Sequence, residues 1–434
     1  MNLRETLPDP LLERMERPVA VFGVGSSGQA VMEILRRMNV SFRAYDERAG
    51  EEDTGRTFTE REAGQHDLVL HSPAFGPDHS WLRAATAAGC ECLSEIDFAQ
   101  QLRRGPTLVI TGTNGKTTLQ EFATFALKRA GISAVAAGQN QYPLSRLAVR
   151  PELDGVTAIC EMGPALARVV KHFRFETLFW TNFHEDHVED PGERRELFEQ
   201  ILRLGSLSPE ADFYVGESVR IAAQECGVPL PEKVRMARPE DMPNWELPES
   251  SAFSTVIHRP ALALFRRYWR ERGLADEQLK AAAEAFAVRA HRLHPCAEAG
   301  RVRFWNDSKA GNFAATEAAL QNFSDPVLWI GGGRYRGGDL RPFADRIAPR
   351  IRMGILLGDA APRLQEVLEE RDIPCRIVHD LRAAVEEAFS RAEPGEEVVF
   401  SPGFVAGEQY GDFMERGICF ENAVLGLKHW RGGA

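Results

Sequence analysis

The first hundred residues alternate between short apolar runs and longer amphipathic stretches. The run Val19–Gly23 predicts a buried strand, and the glycine-rich turn after it leads into a helical stretch from Gln29 to Met38. Ser41–Tyr45 and Leu68–His71 predict two more strands. Because strands alternate with helices, the pattern predicts an α/β unit with a parallel sheet.

The same pattern restarts at Thr107–Ile110 and again near Ala299. Between these points, the part from about 233 to 254 is rich in Pro, Glu and Met and predicts irregular structure, and helices are predicted after it at Pro260–Arg272 and Ala275–Ala290. Further strands are predicted at Ala158–Cys160, Thr177–Trp180, Val302–Trp305, Val327–Ile330, Met353–Leu357 and Val398–Phe400. The 434 residues therefore divide into three α/β segments, each of ordinary domain size.

Composition narrows the class of protein. The net charge of -11 argues against bulk electrostatic binding of nucleic acid. No apolar run reaches the ~20 residues needed to span a bilayer, and Met1–Arg17 contains no apolar signal segment. The seven cysteines are scattered, which suits reduced thiols. We therefore expect a cytoplasmic protein that neither binds nucleic acid nor inserts into a membrane. We also expect a monomer.

The clearest chemical feature lies between the strand at Thr107–Ile110 and the helix predicted after it. Backbone N–H groups at a helix N-terminus can bind phosphate oxygens, Lys116 adds a cation, and the Thr117 hydroxyl can ligate Mg²⁺. The loop departs from GxxxxGK[ST] because Ile110 stands where the first glycine would be. The flanking strand and helix disfavour the alternative, a glycine turn with a surface lysine. We expect the phosphates of a nucleotide to contact Gly112, Thr113, Asn114, Gly115, Lys116, Thr117 and Thr118.

Five motifs in a fixed order resemble those of the Mur ligase family. The first is the loop TGTNGKTT, and Asn182–His187 is similar to the family's strand-end N-x-x-x-D-H motif. The others are Arg289–Arg292, Asn306–Asn312 with Thr316–Ala318, and Ser401–Gly403 with Phe413–Gly417. The resemblance implies a Rossmann-like N-terminal domain for a UDP substrate over 1–104, a P-loop ATPase-like central domain for ATP over 105–298, and a Rossmann-like C-terminal domain for an amino acid over 299–434.

The resemblance implies a two-step reaction that uses ATP and Mg²⁺. ATP phosphorylates a substrate carboxylate, and an amine then attacks the acyl phosphate to give an amide. Both steps gather negative charge, so cations should dominate catalysis. By this resemblance the catalytic residues are Lys116, His187 and Lys309, the metal ligands are Thr117, Glu161 and His187, and Arg292, Asp307 and Lys309 contact the nucleotide.

The implied partners are a UDP-linked muramoyl substrate and an amino acid. The first segment is most similar to members that add D-glutamate, through Gly23–Gly28, Asp46, Ser72–Ala74 and Leu93–Ile96. A GxGxxG turn alone could indicate NAD, but nothing else in the chain supports an oxidoreductase. By the same resemblance, the substrate-binding residues are Gly25, Ser26, Ser27, Asp46, Ser72, Asn140, Arg336 and Phe413.

Three departures concern the metal and the nucleotide. Most members carbamylate a lysine that bridges to a second metal, and this chain has no lysine between Lys171 and Lys233. The segment His258–Leu262 lacks both asparagines of the family's adenine segment. The segment Glu161–Pro164 lacks the sequence S-S-F-Q-L that is typical of the D-glutamate-adding members at this point.

A fourth departure concerns the incoming amino acid. The D-glutamate-adding members bind D-glutamate through a Thr, a Lys and a Ser. These positions align with Gly311, Arg336 and Ala406 in this chain. Arg336 keeps a cation that can bind a carboxylate through two hydrogen bonds, whereas two hydroxyls are missing. Three hypotheses follow: a ligase that adds D-glutamate, a paralogous ligase that joins another acid or amine, and a non-catalytic nucleotide-binding relative.

Overall fold

The structure, a computed structural model, describes residues 3–48, 54–138, 142–184, 191–287, 289–407 and 409–430. Residue contacts group the chain into two units. The first unit comprises Met1–Phe183, Arg195–Asp241 and Ala263–Ala282, and the second comprises His184–Arg194, Met242–Leu262 and Ala283–Ala434. No helix in the described ranges has the length and apolar character needed to cross a membrane.

The first sheet has the strand order β2-β1-β3-β4, and all its pairings are parallel. Side chains of β1 alternate between two buried faces, with Val19 and Val21 on one and Ala20 and Phe22 on the other. Burial on both faces explains why this strand is a continuous apolar run. The strands are β1 Val19–Phe22, β2 Phe42–Tyr45, β3 Leu68–His71 and β4 Glu91–Ser94, and the helices are α1 Asp9–Glu13, α2 Ser26–Arg37, α3 Glu60–Ala63, α4 Ser80–Ala87 and α5 Glu95–Leu102.

The second sheet, also in the first unit, has the order β10-β9-β8-β5-β7-β6 and is parallel. Its first strand in sequence, β5, lies in the interior between β8 and β7, so the chain leaves β5 and returns on both sides of it. Ligands of open α/β sheets bind at such a point, beyond the carboxyl ends of the strands. The strands are β5 Thr107–Thr111, β6 Ala134–Gly138, β7 Thr157–Glu161, β8 Thr177–Trp180, β9 Asp212–Val215 and β10 Arg235–Met236, and the helices are α6 Lys116–Arg129, α7 Leu144–Ala148, α8 Pro164–Val169, α9 Pro191–Leu207, α10 Glu217–Cys226, α11 Arg259–Glu271 and α12 Asp276–Ala285.

The third sheet belongs to the second unit and has the order β11-β12-β16-β13-β14-β15. Its edge strand β11 pairs antiparallel with β12, and the other pairings are parallel. Separate apolar clusters cover the two faces of the sheet. The strands are β11 His294–Ala299, β12 Val302–Asn306, β13 Val327–Gly332, β14 Ile351–Leu357, β15 Cys375–Ile377 and β16 Glu397–Phe400, and the helices are α13 Phe313–Leu320, α14 Arg341–Ile347, α15 Ala361–Glu369, α16 Leu381–Arg391 and α17 Phe413–Trp430.

The predicted α/β fold with parallel sheets is confirmed. Two predicted strands, Leu68–His71 and Thr177–Trp180, have the bounds that the sequence indicated. The helix predicted from Gln29 begins earlier, at Ser26, because Gly25 already forms its N-cap in an extended conformation. The helix predicted to end at Ala290 ends at Ala285.

Candidate active site

The predicted phosphate loop connects β5 to α6, at the carboxyl edge of the second sheet. Gly115 forms the N-cap of α6 with a φ of 77°, in the left-handed region that glycine adopts readily. This turn lets the helix begin directly at Lys116. The first backbone N–H groups of α6 lack partners within the helix, which makes this end suited to an anion.

The loop packs closely against the end of β8. Gly112 has a φ of 136°, and a Cβ at this position would overlap the Oγ1 of Thr181 and lie 3.0 Å from the carbonyl oxygen of Asn182. The Thr113 N–H donates to that same carbonyl at 3.1 Å. Glycine is therefore required at 112 for both its conformation and its lack of a side chain.

Two residues after β8 fix the middle of the loop. The Asn114 N–H donates to Asn182 Oδ1 at 2.8 Å, and Asn182 Nδ2 donates back to the Asn114 carbonyl at 2.9 Å. Thr181 Oγ1 donates to the same carbonyl at 3.0 Å. The sequence predicted the loop but gave Thr181 and Asn182 no role in it, although Asn182 opens the N-x-x-x-D-H motif.

The lysine and threonine of the loop lie at its open side, half-buried. Lys116 Nζ donates to the carbonyls of Gly112 at 2.7 Å and Thr113 at 3.0 Å. Thr117 Oγ1 donates to Glu161 Oε2 at 2.8 Å. Glu161 is the last residue of β7 and only 1% exposed, so a buried carboxylate and a hydroxyl meet beside the loop. These oxygens are the ligand type that Mg²⁺ prefers.

Two predicted residues, His187 and Asn140, lie outside the described residues. The described part of the chain contains no group of three or more His, Cys, Asp or Glu placed to hold a metal ion. Of the three predicted metal ligands, Thr117 and Glu161 lie in the described part, where they share a hydrogen bond.

The predicted UDP-binding residues gather at the carboxyl edge of the first sheet. Gly25, Ser26 and Ser27 form the start of α2. Asp46 follows β2 and accepts hydrogen bonds from the N–H groups of Val24 at 3.0 Å and Arg48 at 2.9 Å. Ser72 follows β3, and its Oγ would lie 2.9 Å from a Cβ on Gly23. The five residues predicted here therefore lie around one glycine turn.

A buried carboxyl group lies in the second unit, directly after β12. Asp307 is 5% exposed, and its Oδ2 accepts a hydrogen bond from Ser401 Oγ at 2.8 Å. Burial raises the pKa of Asp307 to about 7, while the hydrogen bonds from Ser401 and the Leu293 N–H and the charges of Arg292 and Arg416 act in the opposite direction. The backbone of Asp307 is fixed by a 2.8 Å bond to the Phe400 carbonyl.

Lys309, in the turn after Asp307, lies near the predicted residue Phe413 and beside the segment that contains the predicted residue Arg292. Lys309 Nζ lies 3.8 Å from the ring centroid of Phe413, and the Lys309 N–H donates to the His291 carbonyl at 3.0 Å. His291 and Leu293, on either side of Arg292, have φ values of 64° and 48°, which are unusual for residues with a side chain. The structure thus brings Arg292, Asp307, Lys309 and Phe413 to one region of the second unit.

The side chain of Arg336 is exposed. Its loop follows β13 and is held by Tyr335, whose N–H donates to Asp359 Oδ1 at 2.9 Å and whose hydroxyl donates to the Gly338 carbonyl.

Arg416, to which the sequence analysis assigned no role, is 2% exposed, and its guanidinium donates hydrogen bonds to Ser308 and Phe404.

Comparison with known proteins identifies two matching families. Residues 110–218 match the family described as "Mur ligase middle domain", and residues 291–404 match "Mur ligase, glutamate ligase domain". A protein of Gloeobacter violaceus named UDP-N-acetylmuramoylalanine--D-glutamate ligase is 30% identical over 441 residues, which cover 94% of this chain and 99% of the relative. A protein of the same name from Thermus thermophilus is 29% identical over 426 residues, covering 94% and 97%.

Solved structures with the same fold are more distant in sequence. UDP-N-acetylmuramate-alanine ligase MurC of Thermotoga maritima has a TM-score of 0.55 at 14% identity and covers 96% of this chain and 100% of its own. MurF ligase of Thermotoga maritima, solved with ADP, has a TM-score of 0.56 at 16% identity and covers 94% and 96%. These structures share the fold, and the two matching families and the relatives of similar length show that the chain belongs to the Mur ligase family and is an ATP-dependent ligase.

Proposed function

We propose that this ligase adds D-glutamate to UDP-N-acetylmuramoyl-L-alanine in peptidoglycan synthesis, through an acyl phosphate. The observation that carries the proposal is the phosphate loop with the Thr117–Glu161 pair beside it, because a phosphoryl group and a hard cation can be held there together. The names of the full-length relatives support D-glutamate as the incoming amino acid.

In the proposed reaction the phosphate loop holds the phosphates of ATP. Lys116 would exchange its bonds to the loop carbonyls for bonds to phosphate oxygens. Thr117 and Glu161 would hold Mg²⁺, which neutralises charge on the transferring phosphoryl group. His187 is proposed as a further metal ligand.

Residues of the second unit supply the remaining nucleotide contacts in this proposal. Lys309 offers an ammonium group to the developing negative charge, and Asp307 and Arg292 bind the nucleotide. Because the Asp307 carboxyl is buried and held by Ser401, its orientation is fixed before a ligand binds. A group that is already oriented loses less entropy on binding.

The first sheet is proposed to hold the UDP portion of the carboxylate substrate. N–H groups at the start of α2, from Ser26 and Ser27, can donate to a diphosphate. Asn140 and Phe413 are proposed to contact the rest of the substrate. We propose the domain boundaries 1–104 for the UDP substrate, 105–298 for ATP and 299–434 for the amino acid. We also propose that the protein is a cytoplasmic monomer.

A second candidate function is a ligase that adds a different amino acid. It is favoured by Gly311 and Ala406, which stand where related enzymes have hydroxyl side chains. A Cβ on Gly311 would lie 3.9 Å from Val405 Cγ1, so Gly311 lies beside the segment that contains Ala406. A site without these two hydroxyls should discriminate differently among amino acids.

One experiment tests both candidates. Purified protein is incubated with ATP, Mg²⁺, UDP-N-acetylmuramoyl-L-alanine and one amino acid at a time, and phosphate and amide product are quantified. The panel contains D-glutamate, L-glutamate, D-glutamine, D-aspartate and glycine, and Lys116→Ala serves as the inactive control. We expect the highest kcat/KM with D-glutamate. A higher value with another amino acid would select the second candidate, and no product with any amino acid would reject both.

A further inference from the structure

A cavity of about 330 Å³ lies in the second unit, beyond the carboxyl ends of β13 and β14. Three glycines, which have no side chains, line it: Gly332 ends β13, Gly333 follows that strand, and Gly358 follows β14. Among the polar side chains that line it are Arg334 and Arg416. Arg336, two residues beyond Arg334, is not part of the lining, although the sequence predicted it as the carboxylate-binding cation.

The guanidinium of Arg416 forms the buried part of this lining. Nε donates to Ser308 Oγ at 3.1 Å, Nη2 to the Ser308 carbonyl at 2.7 Å, and Nη1 to the Phe404 carbonyl at 3.0 Å. A guanidinium has five N–H donors, so two are not used by the described residues and can serve a ligand. Within the described part of the chain Arg416 forms no ion pair, and burial lowers its pKa to about 10. A buried cation beside a cavity favours an anionic ligand.

The hydrogen-bond partners of Arg416 connect the cavity to the turn Asp307–Lys309, which is proposed above to contact the nucleotide. Ser308 lies between Asp307 and Lys309, and both its carbonyl and its hydroxyl accept from the guanidinium. Ser308 Oγ in turn donates to the Phe413 carbonyl at 2.9 Å, next to the ring that Lys309 contacts. A displacement of the guanidinium would therefore move the turn Asp307–Lys309.

We infer that Arg416 is a positioning residue that couples a carboxylate ligand in the cavity to the turn Asp307–Lys309. The ligand is the incoming amino acid, and in this respect the inference rests on the proposed function. Its carboxylate accepts from the free N–H donors of Arg416, with Arg334 as a second cation. The bound ligand fixes the guanidinium and hence the turn, so amino acid and nucleotide bind cooperatively. Lysine cannot take this role, because it lacks a planar set of donors that reaches Ser308 twice and Phe404 once.

The test measures this cooperativity directly, without turnover. A fluorescent, non-hydrolysable ATP analogue is titrated into the full-length protein with and without saturating D-glutamate, or with the panel amino acid that gives the highest kcat/KM. For the wild type we expect D-glutamate to lower the Kd of the analogue by about 5- to 150-fold, and the analogue to lower the Kd of D-glutamate by the same factor. Inorganic phosphate in place of the amino acid should leave the Kd of the analogue unchanged.

Variants distinguish a loss of coupling between the two ligands from a loss of amino-acid binding and from a failure to fold. Arg416→Lys should reduce the cooperativity factor to about one, whereas Arg334→Ala should weaken amino-acid binding and retain the factor at saturation. Ser308→Ala removes one acceptor of Arg416 and should give a smaller factor even if Arg416→Lys does not fold. The matched control is Arg382→Lys, an exposed arginine paired with Glu386, which should behave as the wild type.

The outcomes separate this inference from the proposed function. No cooperativity in the wild type, or an undiminished factor in folded Arg416→Lys and in Ser308→Ala, overturns the coupling. Cooperativity with inorganic phosphate overturns the assignment of a carboxylate ligand. Amide formation without cooperativity rejects the coupling alone, and cooperativity without amide formation rejects the proposed function alone.

Discussion

Single residues of the candidate site differ in how far the sequence could predict them. Lys116 and Thr117 belong to a contiguous motif whose flanking strand and helix are visible as apolar patterns. Thr181 and Asn182 hold the loop from much later in the chain, since their bonds to Asn114 span 67 and 68 residues. Local pattern does not specify which strand becomes the neighbour of β5, so these contacts required the structure.

Arg416 illustrates the same limit for a buried charge. Its position in the Phe413–Gly417 motif indicates importance but not a partner. Its acceptors are two backbone carbonyls and one hydroxyl, and residue type carries no information about a backbone carbonyl. Contacts of this kind follow from the path of the chain rather than from side-chain chemistry.

A first prediction concerns Asp307 and its raised pKa of about 7. Between roughly pH 4 and pH 7 the Asp307 carboxyl is protonated in the folded protein and ionised in the unfolded chain. The free energy of unfolding therefore falls as the pH rises through this range. Asp307→Asn cannot ionise and should therefore gain stability relative to the wild type across this window. The gain should be on the order of 4 kcal/mol and constant above pH 7.

Denaturant unfolding at several pH values measures this difference. Titration of other groups is common to both proteins, and largely cancels in the comparison. A relative stability that does not change with pH between 4 and 7 would mean that Asp307 has an ordinary pKa, and that its burial is compensated by the groups around it.

At the scale of helices and strands, burial and length decided much of what the sequence could predict, although the interior strand β9 was also missed. Interior strands such as β5 and β8 are apolar runs and were predicted within a residue of their bounds. The edge strands β10 and β15 were missed because they are two and three residues long and partly exposed. The antiparallel edge strand β11 was missed because Pro295 and half-exposed positions interrupt its apolar pattern.

The second prediction compares two glycines of the phosphate loop. Gly112→Ala should destabilise the protein by at least about 1–3 kcal/mol, because its conformation is strained for any other residue and the new Cβ overlaps Thr181. Gly115→Asn should cost about 1 kcal/mol, because asparagine tolerates the left-handed region and none of the neighbouring atoms in the described residues would lie within 4 Å of its Cβ. Equal losses in thermal unfolding would contradict the steric argument.

At the scale of the whole molecule, helix α5 joins the first two sheets within the first unit. Asp97 is 1% exposed and accepts from the N–H groups of Lys171 and His172, each at 3.0 Å from one of its oxygens. Glu95 accepts from the Ser145 N–H at 2.6 Å. The sequence predicted separate α/β segments, but not that buried carboxylates of one would bind backbone groups of the next.

The third prediction tests this junction. Asp97→Ala removes the acceptor of two partly buried N–H groups and should destabilise the protein by about 1–3 kcal/mol in total. Asp97→Asn keeps one acceptor oxygen and should cost less. Denaturant unfolding provides the measurement, and a stability for Asp97→Ala equal to that of the wild type would show that the junction is held by apolar packing alone.

If this chain activates a carboxylate as an acyl phosphate, one oxygen of that carboxylate must pass to phosphate, and isotope transfer measures this step. The substrate UDP-N-acetylmuramoyl-L-alanine is labelled with ¹⁸O in its carboxylate and incubated with ATP, Mg²⁺ and the preferred amino acid. We predict that one labelled oxygen appears in inorganic phosphate for every amide formed, because the bond between the carboxylate oxygen and the phosphoryl group survives when the amine attacks. Unlabelled phosphate accompanying amide formation would contradict it.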